Sequence, residues 1–459
     1  MVYDIIEKCN EFVWSIPALF LTIFVGMYFT IKTGFLQFRC LPTALKALWR
    51  KIIHRKEESS EGSYKALCTA LGATVGTGNI AGVAGAISLG GPGVLFWMWI
   101  SGFLGMIIKF AEASLSVKYS LIKDEERIGG PMYYMKNGLE GRFAGLAALY
   151  SFFGVVAAFG VGNATQINAM ISSMESAAEA IHFNLPTNWN IWIGAILAAS
   201  VFIMFIGGAG RIGKLAQTLV PISSLMYVIL GLIVILLNIT DLHPVLQSIF
   251  RGAFQPEAVT GGVAVCVLGT IRTGVSRGVF TNEAGMGTAG IAHASAGASE
   301  PCQQGMMGIV EVFLDTIVIC TITGLVILCS GIPIPYGTMT DSALTSMAFS
   351  SKLGPWSSVF LAGAMLCFAY ATIMGWGLYG QRCAQYLLGT MSWRLFAVVQ
   401  AAVVFFGAVF EAKLIWVLAE LFNGLMAIPN LTALILLRKN VISMTGSFSD
   451  TLSRNNRKI

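Results

Sequence analysis

The sequence predicts an all-α polytopic membrane protein with eleven transmembrane helices: one extra helix, then two inverted five-helix repeats. Three observations lead there. Of 459 residues, 56% are hydrophobic and only 11% charged, with a mean hydropathy of +0.74, whereas a soluble domain carries about 25% charge. Eleven apolar stretches are each long enough to cross a bilayer, which takes about 20 residues. Two of them, the second and the seventh, are broken by glycines and polar groups at membrane depth. Irregular backbone survives there only where protein or a wet cavity covers it.

The first span runs from about Phe12 to Gly34. A basic amphipathic stretch follows, Leu41 to Lys51 and then His54-Arg55-Lys56, suited to lie along the cytoplasmic interface with Trp49 at headgroup level. The second span, Tyr64 to Ile87, holds Ala73-Thr74-Val75-Gly76-Thr77-Gly78-Asn79-Ile80-Ala81-Gly82. Its glycines each cost about 1 kcal/mol against alanine in a helix, and Asn79 has no apolar reason to be there. The third span (Val94 to Tyr119) precedes a charged loop around Lys123 to Gly130. The fourth, Phe143 to Ile181, is too long for a perpendicular crossing. The fifth (Ile191 to Gly208) and sixth (Leu219 to Leu237) flank a short loop with Arg211 and Lys214. The seventh, Ala258 to Glu283, repeats the peculiarity of the second, with Arg272, Arg277, Thr281, Asn282 and many glycines. The eighth is Met306 to Cys329, the ninth the over-long Ser357 to Leu388, the tenth Leu395 to Phe410 and the eleventh Ile415 to Leu437, before a basic tail.

Spans two to six and seven to eleven thus share one plan: a broken opening helix, an over-long third member and two shorter closing helices. Five crossings are an odd number, so the second copy is inverted, the arrangement in which paired broken helices form a midplane site. The division is residues 1–63 (extra helix and amphipathic helix), 64–240, 241–437 and 438–459. With the N-terminus outside and the C-terminus cytoplasmic, the inner loops and tail hold 21 lysines and arginines and the outer segments four, as the positive-inside rule requires. The net charge of +6 therefore calls for no nucleic-acid partner. Nine scattered cysteines and four dispersed histidines suggest neither disulfides nor a metal centre. The acidic start (Asp4, Glu7, Glu11) is unlike a cleavable signal peptide.

In span two the inner half-helix would end near Val75 with free carbonyls suited to an ammonium or sodium ion. The outer half would start near Gly78 with N–H groups suited to a carboxylate, flanked by Thr77 and Asn79. Close helix packing through Gly72/Gly76 and Gly78/Gly82 is the alternative; a nucleotide loop is excluded by spacing and the lack of a strand. In span seven the second break is expected at Val279-Phe280-Thr281-Asn282, with Phe280 capping the pocket. Arg272 and Arg277 are expected to pair with Glu283, Glu311 or Asp315 as gates or clamps, and Lys109 with Glu112. Gln166 interrupts span four, and Thr372 and Trp376 face the equivalent place in span nine.

Several motifs resemble the alanine or glycine:cation symporter family: Thr77-Gly78-Asn79-Ile80-Ala81-Gly82-Val83, Gly91-Pro92-Gly93, Gly130-Pro131-Met132-Tyr133-Tyr134, Arg277 to Gly287, Ala292-His293-Ala294 and Thr372-Ile373-Met374-Gly375-Trp376. The resemblance spans nearly the whole chain and implies a LeuT-type fold that carries a small neutral amino acid inward with sodium as coupling ion and no other cofactor. It implies that Thr77, Gly78 and Asn79 take the carboxylate. Gln166 and the backbone at Thr372 would assist the ammonium, and Phe280, Ile373 and Trp376 would shape the pocket. Sodium would sit on Gly72, Val75 and Thr372. Ala371 lacks the second hydroxyl such sites often offer. Gly377 leaves room in principle for glutamine beside alanine and glycine. A plasma-membrane monomer is expected. A proton-coupled member, an amino-acid-sensing receptor or a channel of the same fold are the alternatives; an intramembrane enzyme lacks any nucleophile–base or metal constellation.

Overall fold

The structure, a computed structural model, describes residues 2–15, 17–53, 58–123, 126–255, 266–296, 300–389, 392–410 and 413–456. The sequence-predicted stretches His54-Arg55-Lys56, Asp124-Glu125, 258–265 and the last basic residues of the tail lie outside these.

Helices α1 (Val2–Ser15) and α2 (Pro17–Lys32) make the first span, and α3 (Leu36–Ile53) is the amphipathic helix. The second span is broken as expected. Helix α4 (Glu58–Thr74) gives way to a π segment, Gly78–Gly82, and α5 (Val83–Gly90), with a 48° bend between the halves. Helix α6 (Val94–Lys118) leads to a hairpin of β1 (Leu121–Lys123) and β2 (Glu126–Ile128), paired Leu121 with Ile128 and Lys123 with Glu126. Helix α7 (Pro131–Gly138) then precedes the long fourth span: α8 (Ala144–Phe159), a π segment at Gly160–Ala164 and α9 (Thr165–Ala180). Helix α10 (Trp189–Ile206) follows.

Helix α11 (Gly208–Leu237) begins before Arg211 and Lys214, so the loop expected there is helical. Helix α12 (Ile239–Phe254), a further helix, precedes α13 (Val267–Asn282) and α14 (Thr288–Ala294). Helix α15 (Pro301–Val312), a π segment at Phe313–Cys320 and α16 (Thr321–Cys329) form the eighth span. Helix α17 (Ser342–Leu353) folds within the segment between the eighth and ninth spans, capped by the Asp341 carboxylate on the Ala343 N–H. Helices α18 (Trp356–Leu388), α19 (Ser392–Val409), α20 (Lys413–Leu436) and α21 (Arg438–Asn456) complete the chain.

Among the described residues nine helices are long and apolar enough to span a membrane, ten if the bent α4–α5 pair is one span. The expected span without such a helix is the seventh, which falls on α13. It fails the test because α13 has only 16 residues and carries two arginines, and the chain breaks directly after it. This second break is one turn later than the sequence suggests. Residues Val279–Asn282 are helical, and the interruption is at 283–287, where Glu283, Gly285 and Gly287 have φ of 56°, 95° and 76°. Those left-handed positions, two of them glycine, end the helix. Thr281 stays helical by bonding its hydroxyl to the Gly278 carbonyl at 2.9 Å.

Both broken spans are buried within the body, α13 against α6 and α4 against α18 and α11. Small residues permit this. A Cβ on Gly375 of α18 would come within 2.7 Å of the Ala73 Cβ, and one on Gly278 within 2.7 Å of the Ser101 hydroxyl. Helices α10 and α19 pack on each other at the periphery and expose Trp192, Ile196, Leu395 and Val398, as lipid-facing helices do.

Candidate functional site

The first break is a crossing point of four elements. Gly76 lies where a Cβ would be 2.5 Å from the Thr372 hydroxyl of α18 and 3.2 Å from Gln166 Oε1 of α9. Gly78 lies where a Cβ would be 3.1 Å from Thr281 and 3.2 Å from Phe280 of α13. The chain can bring these four side chains together only because neither residue has one of its own.

Thr372 Oγ1 is 3.0 Å from both the Gly72 and Phe368 carbonyl oxygens. A hydroxyl has one proton, so it can donate to only one of them and keeps lone pairs for a hard cation, which prefers oxygen ligands. Val75 is buried at the end of α4, and Ala371 faces Gly72, its Cβ 3.6 Å from where a Gly72 Cβ would be. The Thr77 N–H donates to Gln166 Oε1 at 3.3 Å, while Gln166 Nε2 donates to the Val161 carbonyl at 3.0 Å in the neighbouring π segment. Thr77 Oγ1 is fully buried with no hydrogen-bond partner among the described residues. Such a group is costly unless something satisfies it.

Asn79 departs from expectation. Its Oδ1 accepts the Gly76 N–H at 2.9 Å, and its Nδ2 donates to the Asp315 carboxylate at 2.7 Å and to the Asp315 carbonyl at 3.2 Å. The side chain is committed to holding the turn against the eighth span, and its backbone N–H donates to the Gly76 carbonyl at 3.3 Å. Asp315 is thus the partner of an amide, not of an arginine. Its other oxygen accepts from Thr316, which in turn accepts from Asn282 beside the second break.

The intramembrane charges pair differently from the expected scheme. Arg277 bonds Glu420 of α20 at 2.5 Å, and Arg272 lies 3.7 Å from Glu11. Glu311 takes Lys109 at 3.1 Å and His293 at 3.2 Å, all fully buried. Glu112, expected on Lys109, instead accepts the N–H groups of Gly285 and Gly287 and the amide of Asn430, so it anchors the second break. Glu283 accepts from Thr288 at 2.5 Å and from the Trp376 indole at 2.6 Å. The physical reason is the displaced break: Glu283 sits at its turn, held by Thr288 and Trp376, away from Arg272 and Arg277.

Phe280 stacks on Trp416 with centroids 5.9 Å apart and lies under Arg277. Trp376 is wedged against Gly162, and Ile373 is fully buried with its carbonyl 3.4 Å from Gln400 Nε2. The space attributed to Gly377 is filled by Phe205 and Gln400, so that glycine serves packing and does not enlarge a pocket. A cavity of about 1310 Å³ opens beside the break, lined by Ala81, Gly82, Asn168, Arg277, Trp416 and Glu420 among others. Trp416 and Glu420 were not singled out from sequence, although an aromatic and a carboxylate at i and i+4 within a span carry the same signal as Arg277.

Two interrupted helices facing each other inside a body of membrane-length helices define a multi-pass secondary transporter. The chain belongs to the sodium:alanine symporter family, whose model matches residues 1–459. It is 40% identical over 456 residues to the sodium/alanine symporter AgcS of Methanococcus maripaludis, covering 97% of each chain. To the probable sodium/glutamine symporter GlnT of Bacillus subtilis it is 38% identical over 446 residues, covering 96% of this chain and 89% of that one. The structure of MhsT in complex with L-phenylalanine matches 79% of this chain and 87% of that one with a TM-score of 0.59 at 14% identity, a likeness of LeuT-type fold. The protein is an amino-acid transporter and not an enzyme.

Proposed function

We propose that the protein is a sodium-coupled symporter that imports a small neutral amino acid, alanine or glycine, by alternating access. The observation that carries this reading is the unpartnered Thr77 hydroxyl at a helix break, beside Gln166 and next to Gly78, which packs on Phe280. The substrate carboxylate would take Thr77 Oγ1 and the backbone N–H of Gly78. The ammonium would meet the second lone pair of Gln166 Oε1 and the carbonyls of α18 near Thr372. Sodium would sit on the carbonyls of Gly72 and Val75 with Thr372 Oγ1, drawing α4 and α18 together so that the substrate finds a formed site. Phe280 and Trp416, with Arg277 and Glu420 beyond them, would close the vestibule. The N-terminus outside, the pairing of spans two to six with seven to eleven as inverted copies, and a monomeric plasma-membrane protein belong to the same proposal.

Close packing by Phe205 at Gly377 and by Gly162 at Trp376 favours a small cargo over glutamine. The test is uptake into proteoliposomes under an inward sodium gradient, with a proton gradient as the second arm. Accumulation of alanine or glycine driven by sodium is expected. Accumulation under the proton gradient alone, or none of alanine, glycine or glutamine under sodium, would overturn the reading.

A further inference from the structure

The charges at the mouth of the vestibule are joined by the one span that the paired repeats do not need. We propose that α1 is the positioning element of the gate, and that Asn10 and Trp14 set Glu420 for Arg277; this rests on the symporter reading above.

Glu420 is held from α1 at two points. Asn10 Nδ2 donates to its Oε2 at 3.1 Å, and the Trp14 indole donates to its backbone carbonyl at 2.9 Å. The other carboxylate oxygen, Oε1, is the one that meets Arg277. A glutamate on a helix has several rotamers. A bond on Oε2 from a buried amide selects the one that turns Oε1 toward the guanidinium. Asn10 and Trp14 are 8% and 4% exposed, so neither is a swinging surface group. One turn further along α20 the side chains of α1 pack onto a glycine: a Cβ on Gly424 would lie 2.5 Å from the Val13 side chain and 3.1 Å from the Trp14 indole nitrogen.

The tie to α13 is different in kind. Glu11 and Arg272 are 3.7 Å apart with side chains 56% and 33% exposed, a contact that solvent weakens. Helix α1 is therefore bound firmly to α20 and loosely to α13. A cavity of about 40 Å³ between the three helices is lined by Asn10, Trp14, Arg277, Phe280 and Glu420, with Arg272 and Ser276 at its α13 side. When the gate opens, α1 should travel with α20 and the Glu11–Arg272 contact should part.

The experiment reads gate closure directly. Ala81 lines the vestibule in the first turn beyond the break. The substitution Ala81→Cys is made in a background lacking the exposed Cys9 and Cys266. Labelling by a membrane-impermeant maleimide is measured with and without alanine plus sodium, alongside uptake. In the parent, alanine plus sodium should protect the introduced thiol. Asn10→Ala should raise labelling of the alanine-bound protein and the KM for alanine by about tenfold, the scale of one lost charge-assisted bond, and Trp14→Phe by about fivefold, the scale of one neutral bond, with maximal rate changed far less. Asn10→Gln, which keeps a donor, should recover part of both. Trp14→Phe keeps an aromatic ring, and an unchanged thermal midpoint confirms the fold. Parent-like labelling and KM in both variants would overturn the proposal. Failure of sodium to drive uptake in the parent would instead sink the symport reading, and protection of the introduced thiol by alanine would still report on the gate.

Discussion

Replacing Gly76 by alanine tests the geometry of the first break at one atom. The added Cβ would stand 2.5 Å from Thr372 Oγ1 and 3.2 Å from Gln166 Oε1, whereas an ordinary contact is about 3.5 Å. The Thr372 hydroxyl must move by roughly 1 Å, and it then loses the Gly72 carbonyl now 3.0 Å away. One neutral hydrogen bond is worth about 1 kcal/mol, and overpacking a tight site costs about 1–3 kcal/mol. If that cost falls on the cation-bound conformation, the sodium concentration for half-maximal uptake should rise by about 30-fold or more. Gly82, six residues on in the same segment, is the control. A Cβ there meets nothing within 4 Å, so Gly82→Ala should leave sodium dependence within about twofold, since it adds only helix propensity. The assay is initial-rate uptake against sodium concentration in proteoliposomes, with thermal unfolding in detergent to verify folding. Equal sodium dependence in Gly76→Ala and wild type would refute the assignment of Thr372 and Gly72 to one ion site.

Asn79→Ala leaves the buried Asp315 carboxylate without its amide donor, and a lost bond to a charged group costs about 1.5–3 kcal/mol; uptake should be abolished while protein is still recovered folded, and wild-type-like transport would remove the role given to this turn. Lys109→Met leaves the buried Glu311 carboxylate with His293 alone, a loss of up to about 3–5 kcal/mol for a buried pair; adding Glu311→Gln should restore much of the thermal midpoint, and purely additive effects in the double-mutant cycle would show that the two do not interact. Trp376→Phe removes the indole donor to Glu283 at 2.6 Å and should raise the KM for alanine by about tenfold; a KM within about twofold of wild type would show that the wedge between the breaks does not shape the pocket.

The first break was legible because an asparagine among glycines at membrane depth goes beyond what close helix packing needs, although the glycines alone would have suited that packing. The second was misplaced by a turn. Polar side chains at Thr281 and Asn282 draw attention, yet the helix ends where Glu283, Gly285 and Gly287 adopt positive φ, a backbone property that side-chain polarity does not encode. The over-long fourth span was visible as a length, but its π segment at Gly160–Ala164 has no periodicity signal. Ion-pair partners were the least readable. Arg277 and Glu420 meet across 143 positions of sequence, and nearer carboxylates such as Glu283 were equally plausible on spacing alone. Gly377 shows a related trap: an absent side chain reads as space, whereas in the fold Phe205 occupies it.

The central claim is that a substrate carboxylate meets the Thr77 hydroxyl at the first break. Calorimetric binding of alanine to purified protein, with and without sodium, measures it most directly when wild type is compared with Thr77→Val, which keeps shape and removes the hydroxyl. Loss of one bond to a charged group predicts sodium-dependent binding weakened by roughly 10- to 150-fold at an unchanged unfolding temperature. Equal affinity in the two proteins would contradict the account.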